Sequence, residues 1–160
     1  MAAWTPNVRK GCETIRTSTS DTYRQVPDGH LEDGQISLGA VCPTGREDYK
    51  LSVQCSDKVP SPKDATERHL SRRLQTNGCV TVAVNDVLQA VAEVQEAGHS
   101  SAELPIVDDS ECPDLPEEHV SLDFGANSER SIRRALGRSL HKHVLDRAKA
   151  EGWAYRVPAP

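Results

Sequence analysis

Short segments in which apolar and polar residues alternate recur along the chain, and alternation is typical of a strand with one buried face. The segments are TYRQV (22–26), QISLGAVCP (35–43), YKLSVQC (49–55), CVTVAV (79–84), LPIV (104–107), HVSLDF (119–124) and, as a strand or ordered tail, WAYRV (153–157). The link between the second and third segments is short, which predicts that these two strands pair antiparallel.

Three further segments carry helical signals, each with a capping side chain at its start and a glycine at its end. The starts are Ser61-Pro62 with Asp64, Asn85-Asp86 and Ser128, and the ends are Asn77-Gly78, Gly98 and Gly152. The first helix is expected at about 62–76. In the third, Ile132, Leu136 and Leu140 form an apolar stripe, so one face should pack on a sheet.

The order β-β-β-α-β-α-β-α-β predicts an α+β fold, with a mixed or mainly antiparallel sheet covered by about three helices. A chain of 160 residues fits one domain of this kind. Residues 1–22 have no apolar periodicity and are expected to be a flexible or loosely docked arm, which leaves 23–160 as the domain.

The cysteines and the apolar content bear on location and on cofactors. Five cysteines without a C-x-x-C spacing predict reduced, mostly buried thiols and no metal site. No apolar run is long enough to cross a membrane and no secretory signal is evident, so we expect a cytoplasmic protein. Neither nucleotide-binding glycine loop occurs, and no cofactor is expected.

His119, Ser121 and Asp123 occupy alternate positions of one predicted strand and therefore share a face. This polar row has two interpretations: the solvent side of an ordinary sheet, or the floor of a site. In a site, His119 would be the general base, Asp123 would orient it, and Ser121 would supply a hydroxyl. The residues that could contact an anionic substrate are Arg24, Lys50 and His69.

Charge is segregated along a chain whose net charge is −5. Residues 99–127 hold eight acidic residues and no Lys or Arg, whereas residues 128–150 hold seven Lys or Arg and two acidic residues. On the last predicted helix the cations form a row, which we name the basic face: Arg130, Arg134, Arg138 and Lys142. The basic face either pairs with the acidic segment or contacts a partner.

Several runs of the chain together resemble a widespread set of small bacterial proteins for which no activity is known to us. The runs, over about residues 23–156, are YRQV, DGQISLGAVCPT, EDYKLSV, ATERH, LPIVDD, PEEHVSLDF and GWAYR. The polar positions that match the pattern are Arg24, Asp48, Ser52, His69, His119, Ser121 and Asp123. The resemblance implies one bacterial domain with the N-terminal arm outside the shared part, and no function.

Three functions remain open from the sequence. The first is a non-catalytic accessory protein, such as an adaptor, a regulator or an immunity-type factor, that binds another protein through the basic face and the acidic segment. The second is a small hydrolase or transferase that acts on a phosphate or acyl ester at the polar row. The third is a nucleic-acid binder that uses the basic face, although few aromatic residues accompany the cations to stack on bases.

Overall fold

The computed structural model describes residues 16–17, 19–109, 112 and 115–160. In chain order its strands are β1 (Arg16–Thr17), β2 (Thr22–Gln25), β3 (Leu31–Glu32), β4 (Gln35–Ile36), β5 (Lys50–Cys55), β6 (Gly78–Val82), β7 (Ile106–Asp108), β8 (His119–Asp123) and β9 (Tyr155–Arg156). The helices are α1 (Pro62–Ser71), α2 (Val84–Glu96) and α3 (Arg130–Glu151). The predicted α+β fold is confirmed.

Across the described residues, the main sheet runs in the order β1-β7-β8-β5-β2-β6-β9, and every neighbouring pair is antiparallel. β3 and β4 form a separate hairpin. The predicted N-terminal arm lies mostly outside the described residues, but Arg16–Thr17 form the edge strand beside β7.

The two faces of the main sheet carry different helices. Leu51, Val53 and Cys55 of β5 share one face and belong to the apolar core, together with the buried stripe of α3 and residues of α2. On the opposite face, Gln54 of β5 donates a hydrogen bond to the Ala65 carbonyl of α1. Helices therefore lie on both faces of the central strands, although Ser52 of β5 remains exposed on the face that carries α1.

Helix α1 begins as its sequence predicts. Ser61 accepts a hydrogen bond from the Asp64 N–H at 3.1 Å, and Pro62 occupies the first turn. The helix ends at Ser71, earlier than expected, and Arg73 takes the left-handed conformation. Gly78 has another role: a Cβ there would lie 2.1 Å from the Tyr155 carbonyl oxygen, so glycine permits the approach of β9.

The predicted strand over 35–43 is wrong beyond Ile36, and so is its predicted pairing with β5. The chain turns into a 3-10 helix at Leu38–Ala40, and β5 pairs with β2 and β8 instead. Two carbonyls of this segment are bound by distant side chains: Arg24 Nε donates to Ala40, and His141 Nε2 donates to Ile36. These bonds satisfy backbone groups that a strand would pair with a neighbour.

The start and middle of α3 contain two further features. Ser128 is not the cap, because the helix is preceded by Glu129 without a side-chain capping bond. Gly137 lies in the buried stripe against Cys42, where a Cβ would be 2.2 Å from the Cys42 Sγ atom. With any larger residue at position 137, the Cys42 side chain would have to move away from the helix.

One of the four cysteines among the described residues departs from the prediction of reduced thiols. Cys112 is disulfide-bonded, whereas Cys42, Cys55 and Cys79 are free. Spacing along the sequence does not reveal such a bond, because the distance between two Cβ atoms in the fold decides it. Among the described helices, none is long and apolar enough to cross a membrane.

Candidate functional site

A cavity of about 260 Å³ lies between the main sheet, α1 and the segment that enters β8. Its lining is Tyr23, Arg24 and Gln25 of β2; Ser52, Val53 and Gln54 of β5; His69, Arg72 and Leu74 at the end of α1; and Leu115, Pro116, Glu118 and His119. We name this the acid–base cavity, because two histidines, two arginines and one glutamate line it.

His119 is held in the wall of the acid–base cavity by a carboxylate. Its Nδ1 atom lies 2.6 Å from Oδ1 of Asp109, a residue that is 1% exposed. Ser121 Oγ donates to the other oxygen of Asp109 at 2.8 Å. An ionised carboxylate can only accept, so Nδ1 donates in this contact, and in the neutral ring the lone pair is then on Nε2.

The β5–β8 register explains why the polar row is buried. His119, Ser121 and Asp123 lie directly opposite Gln54, Ser52 and Lys50. Ser121 is 0% exposed and Asp123 is 3% exposed. The interpretation of this row as a solvent face is therefore wrong, because all three side chains are buried.

The predicted catalytic residues and the predicted binding residue His69 fall into three groups, of which Ser121, bonded to Asp109, is one. Arg24, His69 and His119 line the acid–base cavity. Lys50 and Asp123 face each other at the opposite end of the ladder, about 13 Å from His119 at the usual rise per residue, and do not line it. The orienting role predicted for Asp123 is taken by Asp109.

Arg24 places a fixed positive charge at the acid–base cavity. Its Nε donates to the Ala40 carbonyl at 2.7 Å and its Nη1 donates to the Ser52 carbonyl at 2.9 Å. Burial lowers the pKa of Arg24, and the nearby Glu47 carboxylate opposes that effect. Because the ordinary value is far above neutrality, the guanidinium remains charged.

His69 is half-buried at the end of α1. Burial lowers the pKa of its imidazole, and the positive charges of Arg24 and Arg72 lower it further. At neutral pH the ring is uncharged, so it offers one donor and one acceptor.

Glu118 ties α1 to the start of β8 and closes one side of the cavity. Its Oε1 lies 2.6 Å from Arg72 Nη1, and its Oε2 lies 3.6 Å from Arg68 Nη1. Burial pushes the pKa of Glu118 up, but the Arg72 hydrogen bond and the charges of both arginines outweigh it, so the pKa is lowered. The sequence patterns did not indicate that Glu118 or Asp109 belongs to a site.

The basic face of α3 is exposed along its whole length. None of its four cations forms an ion pair with another described residue. The acidic segment pairs elsewhere, as in the contact between Lys58 and Asp108 at 2.8 Å. The expected pairing of the acidic segment with the basic face is therefore not found in the described part of the chain.

In the described ranges, no group of three or more His, Cys, Asp or Glu side chains is arranged to hold a metal ion.

Comparison of the chain with protein-family models, with curated proteins and with solved structures finds no match.

Proposed function

We propose that the protein is a small hydrolase that acts on a phosphate or acyl ester in the acid–base cavity. The observation that carries this proposal is the contact of 2.6 Å between His119 and the buried Asp109, on a wall that Arg24 also lines. A histidine oriented by a carboxylate beside a fixed cation is a recurring arrangement for general-base catalysis.

The nucleophile in this proposal is water. The Ser121 hydroxyl is buried and bonded to Asp109, so it does not reach a substrate. His119 Nε2 removes a proton from water as the new bond to phosphorus or carbon forms, and Asp109 stabilises the resulting imidazolium. The imidazolium then returns the proton to the leaving ester oxygen, while Arg24 stabilises the charge that develops on the substrate oxygens.

The test is hydrolysis of p-nitrophenyl phosphate and p-nitrophenyl acetate by His119→Ala and by Asp109→Asn. Loss of a general base lowers kcat by about 10²–10⁴-fold. We expect this drop in the first variant and a smaller drop in the second, because Asn at 109 no longer fixes the tautomer. His99→Ala is the matched control, since His99 lies outside the cavity.

Equal losses in His119→Ala and His99→Ala would contradict the proposal. So would the absence of turnover of both esters by the unaltered protein.

A second candidate is the accessory protein that binds an acidic protein partner through the basic face. The observation that favours it is that all four cations are exposed and have no ion-pair partner in the described chain. Exposed unpaired cations in one row steer an acidic surface towards the helix.

To test this function, the unaltered protein and the variant Arg138→Glu/Lys142→Glu are each purified, and the products of neighbouring genes that are recovered with them are compared. Loss of a specific partner supports this function, and unchanged recovery contradicts it. Binding to duplex DNA with a steep salt dependence would instead indicate a nucleic-acid binder.

A further inference from the structure

A second cavity, of about 470 Å³, lies between the segment that follows β4 and the start of α3. Its lining is Cys42, Pro43, Thr44, Gly45, Tyr49, Phe124, Arg130, Arg133 and Arg134. We name it the arginine cavity. Its volume falls in the range of small-molecule sites.

The lining of the arginine cavity contains three guanidinium groups and no carboxylate. Arg130 and Arg134 are exposed and form no ion pair with a described residue. Glu47, which is close in sequence to the lining, accepts a hydrogen bond from the Thr44 N–H at 3.1 Å. The positive charge at this cavity is therefore not neutralised by an ion pair within the described chain.

Arg133 is already fixed in place at the cavity wall. Its guanidinium carbon lies 4.0 Å from the centre of the Tyr49 ring. Its Nη1 atom donates to the carbonyls of Asn127 and Ser128, both at 2.8 Å. A ligand that meets this group does not have to immobilise a free side chain, which lowers the entropic cost of binding.

We propose that the arginine cavity binds the phosphoryl groups of a small, freely diffusing molecule. Guanidinium groups form paired hydrogen bonds with phosphate oxygens, and such charge-assisted bonds are about twice as strong as neutral ones. Arg133 supplies the fixed cation, and the exposed Arg130 and Arg134 close on the ligand. This site is separate from the acid–base cavity and does not depend on the function proposed for it.

The test is calorimetric titration with sodium diphosphate at low ionic strength, with sodium sulfate as the competing anion. The variant Arg130→Gln/Arg134→Gln removes two cavity cations whose side chains form no hydrogen bond or ion pair with a described residue. The matched control is Lys142→Gln/Lys149→Gln, which removes the same charge from exposed positions of the same helix that do not line the cavity.

We expect the cavity variant to lose at least about tenfold in affinity for diphosphate, in line with the strength of charge-assisted bonds. The control should stay within about twofold to threefold, because its charges act only at a distance through solvent. Equal losses in both variants would show a general electrostatic effect and overturn the proposal, as would no binding by the unaltered protein. Ester hydrolysis should be unchanged in the cavity variant, so the two proposals can fail separately.

Discussion

A single buried carboxylate, Glu118, shows how one residue can make the stability of this protein depend on pH. Glu118 is 1% exposed at its side chain, while Arg68 and Arg72 keep about a third of theirs in solvent, 34% and 37%. The ion pairs of Glu118 with these two arginines are therefore neither surface ion pairs of negligible strength nor fully buried ones.

We expect Glu118→Gln to destabilise the protein by about 1–3 kcal/mol at pH 7, because a charge-assisted bond is lost and two cations remain. The pKa of Glu118 is lowered by folding. Its contribution is therefore complete above its unfolded pKa of about 4.3 and is lost as the pH falls through its lower folded pKa. Urea unfolding of both proteins between pH 2.5 and pH 7 measures this effect. The free energy of unfolding should lose the Glu118 contribution at acid pH in the unaltered protein, and this loss should be absent in the variant.

Glu117→Gln is the matched control for this measurement, because Glu117 contacts the same Arg68 at 3.2 Å but is 80% exposed. A loss in Glu117→Gln as large as that in Glu118→Gln would contradict the importance of burial.

At the scale of elements, Asp86 joins the start of α2 to the last turns of α3. Its Oδ2 and Oδ1 atoms accept from Arg147 Nε and Nη2 at 2.8 and 2.9 Å, and the Ala83 N–H donates to the same carboxylate. The hydrogen bond to Asp86 raises the pKa of Arg147, despite its partial burial. One side chain therefore caps one helix and anchors another.

We expect Asp86→Ala to lower the free energy of unfolding by about 2–3 kcal/mol, because both the cap and the paired bonds are lost. Urea unfolding at pH 7 measures the change. Asp146→Ala on α3 is the control, since Asp146 is exposed, and it should alter stability by less than about 0.5 kcal/mol. Similar losses in both variants would mean that the Asp86–Arg147 contact contributes nothing beyond general charge.

Elements whose signals are local could be predicted from the sequence. Ser61 with Pro62 fixes the start of α1, and the alternation in β5 and β8 correctly assigns Leu51 and Leu122 to the core. The segment after Ile36 alternates equally well but turns into a 3-10 helix, and Arg24 of a distant strand binds its Ala40 carbonyl. No local pattern reports such contacts.

The same reasoning explains what was missed in the candidate site. His119 and Arg24 were identified by residue type, and the fold brings both to one cavity. Asp109 immediately follows β7, and its approach to His119 depends on the pairing of β7 with β8. The acidic pair at the end of LPIVDD was a usable signal only once that pairing was known.

At the scale of the whole molecule, the redox state of the cysteines bears on the kind of compartment in which the chain folds. Cys112 is disulfide-bonded, and disulfides persist mainly in oxidising compartments. The predicted cytoplasmic location rests on the sequence alone, so the state of this cysteine in freshly isolated protein bears directly on it.

We expect that protein isolated without reductant, then unfolded and treated with iodoacetamide, is alkylated at Cys42, Cys55 and Cys79. Peptide mass spectrometry should find Cys112 alkylated only after reduction, because a bonded sulfur is not a nucleophile. Protein reduced before unfolding is the control. Direct alkylation of Cys112 in unreduced protein would contradict the bond and favour a reducing compartment.

The contact between Gly137 and Cys42 makes this thiol a reporter for the space between α3 and the segment that follows β4. A methyl group on the helix at position 137 would lie 2.2 Å from Sγ, while the half-buried thiol also lines the arginine cavity, from which a reagent can reach it. Burial also raises the pKa of Cys42, against the charges of Arg138 and Arg134, which leaves little thiolate at neutral pH. The rate at which a bulky reagent labels Cys42 in the native protein therefore measures access to the arginine cavity beside α3.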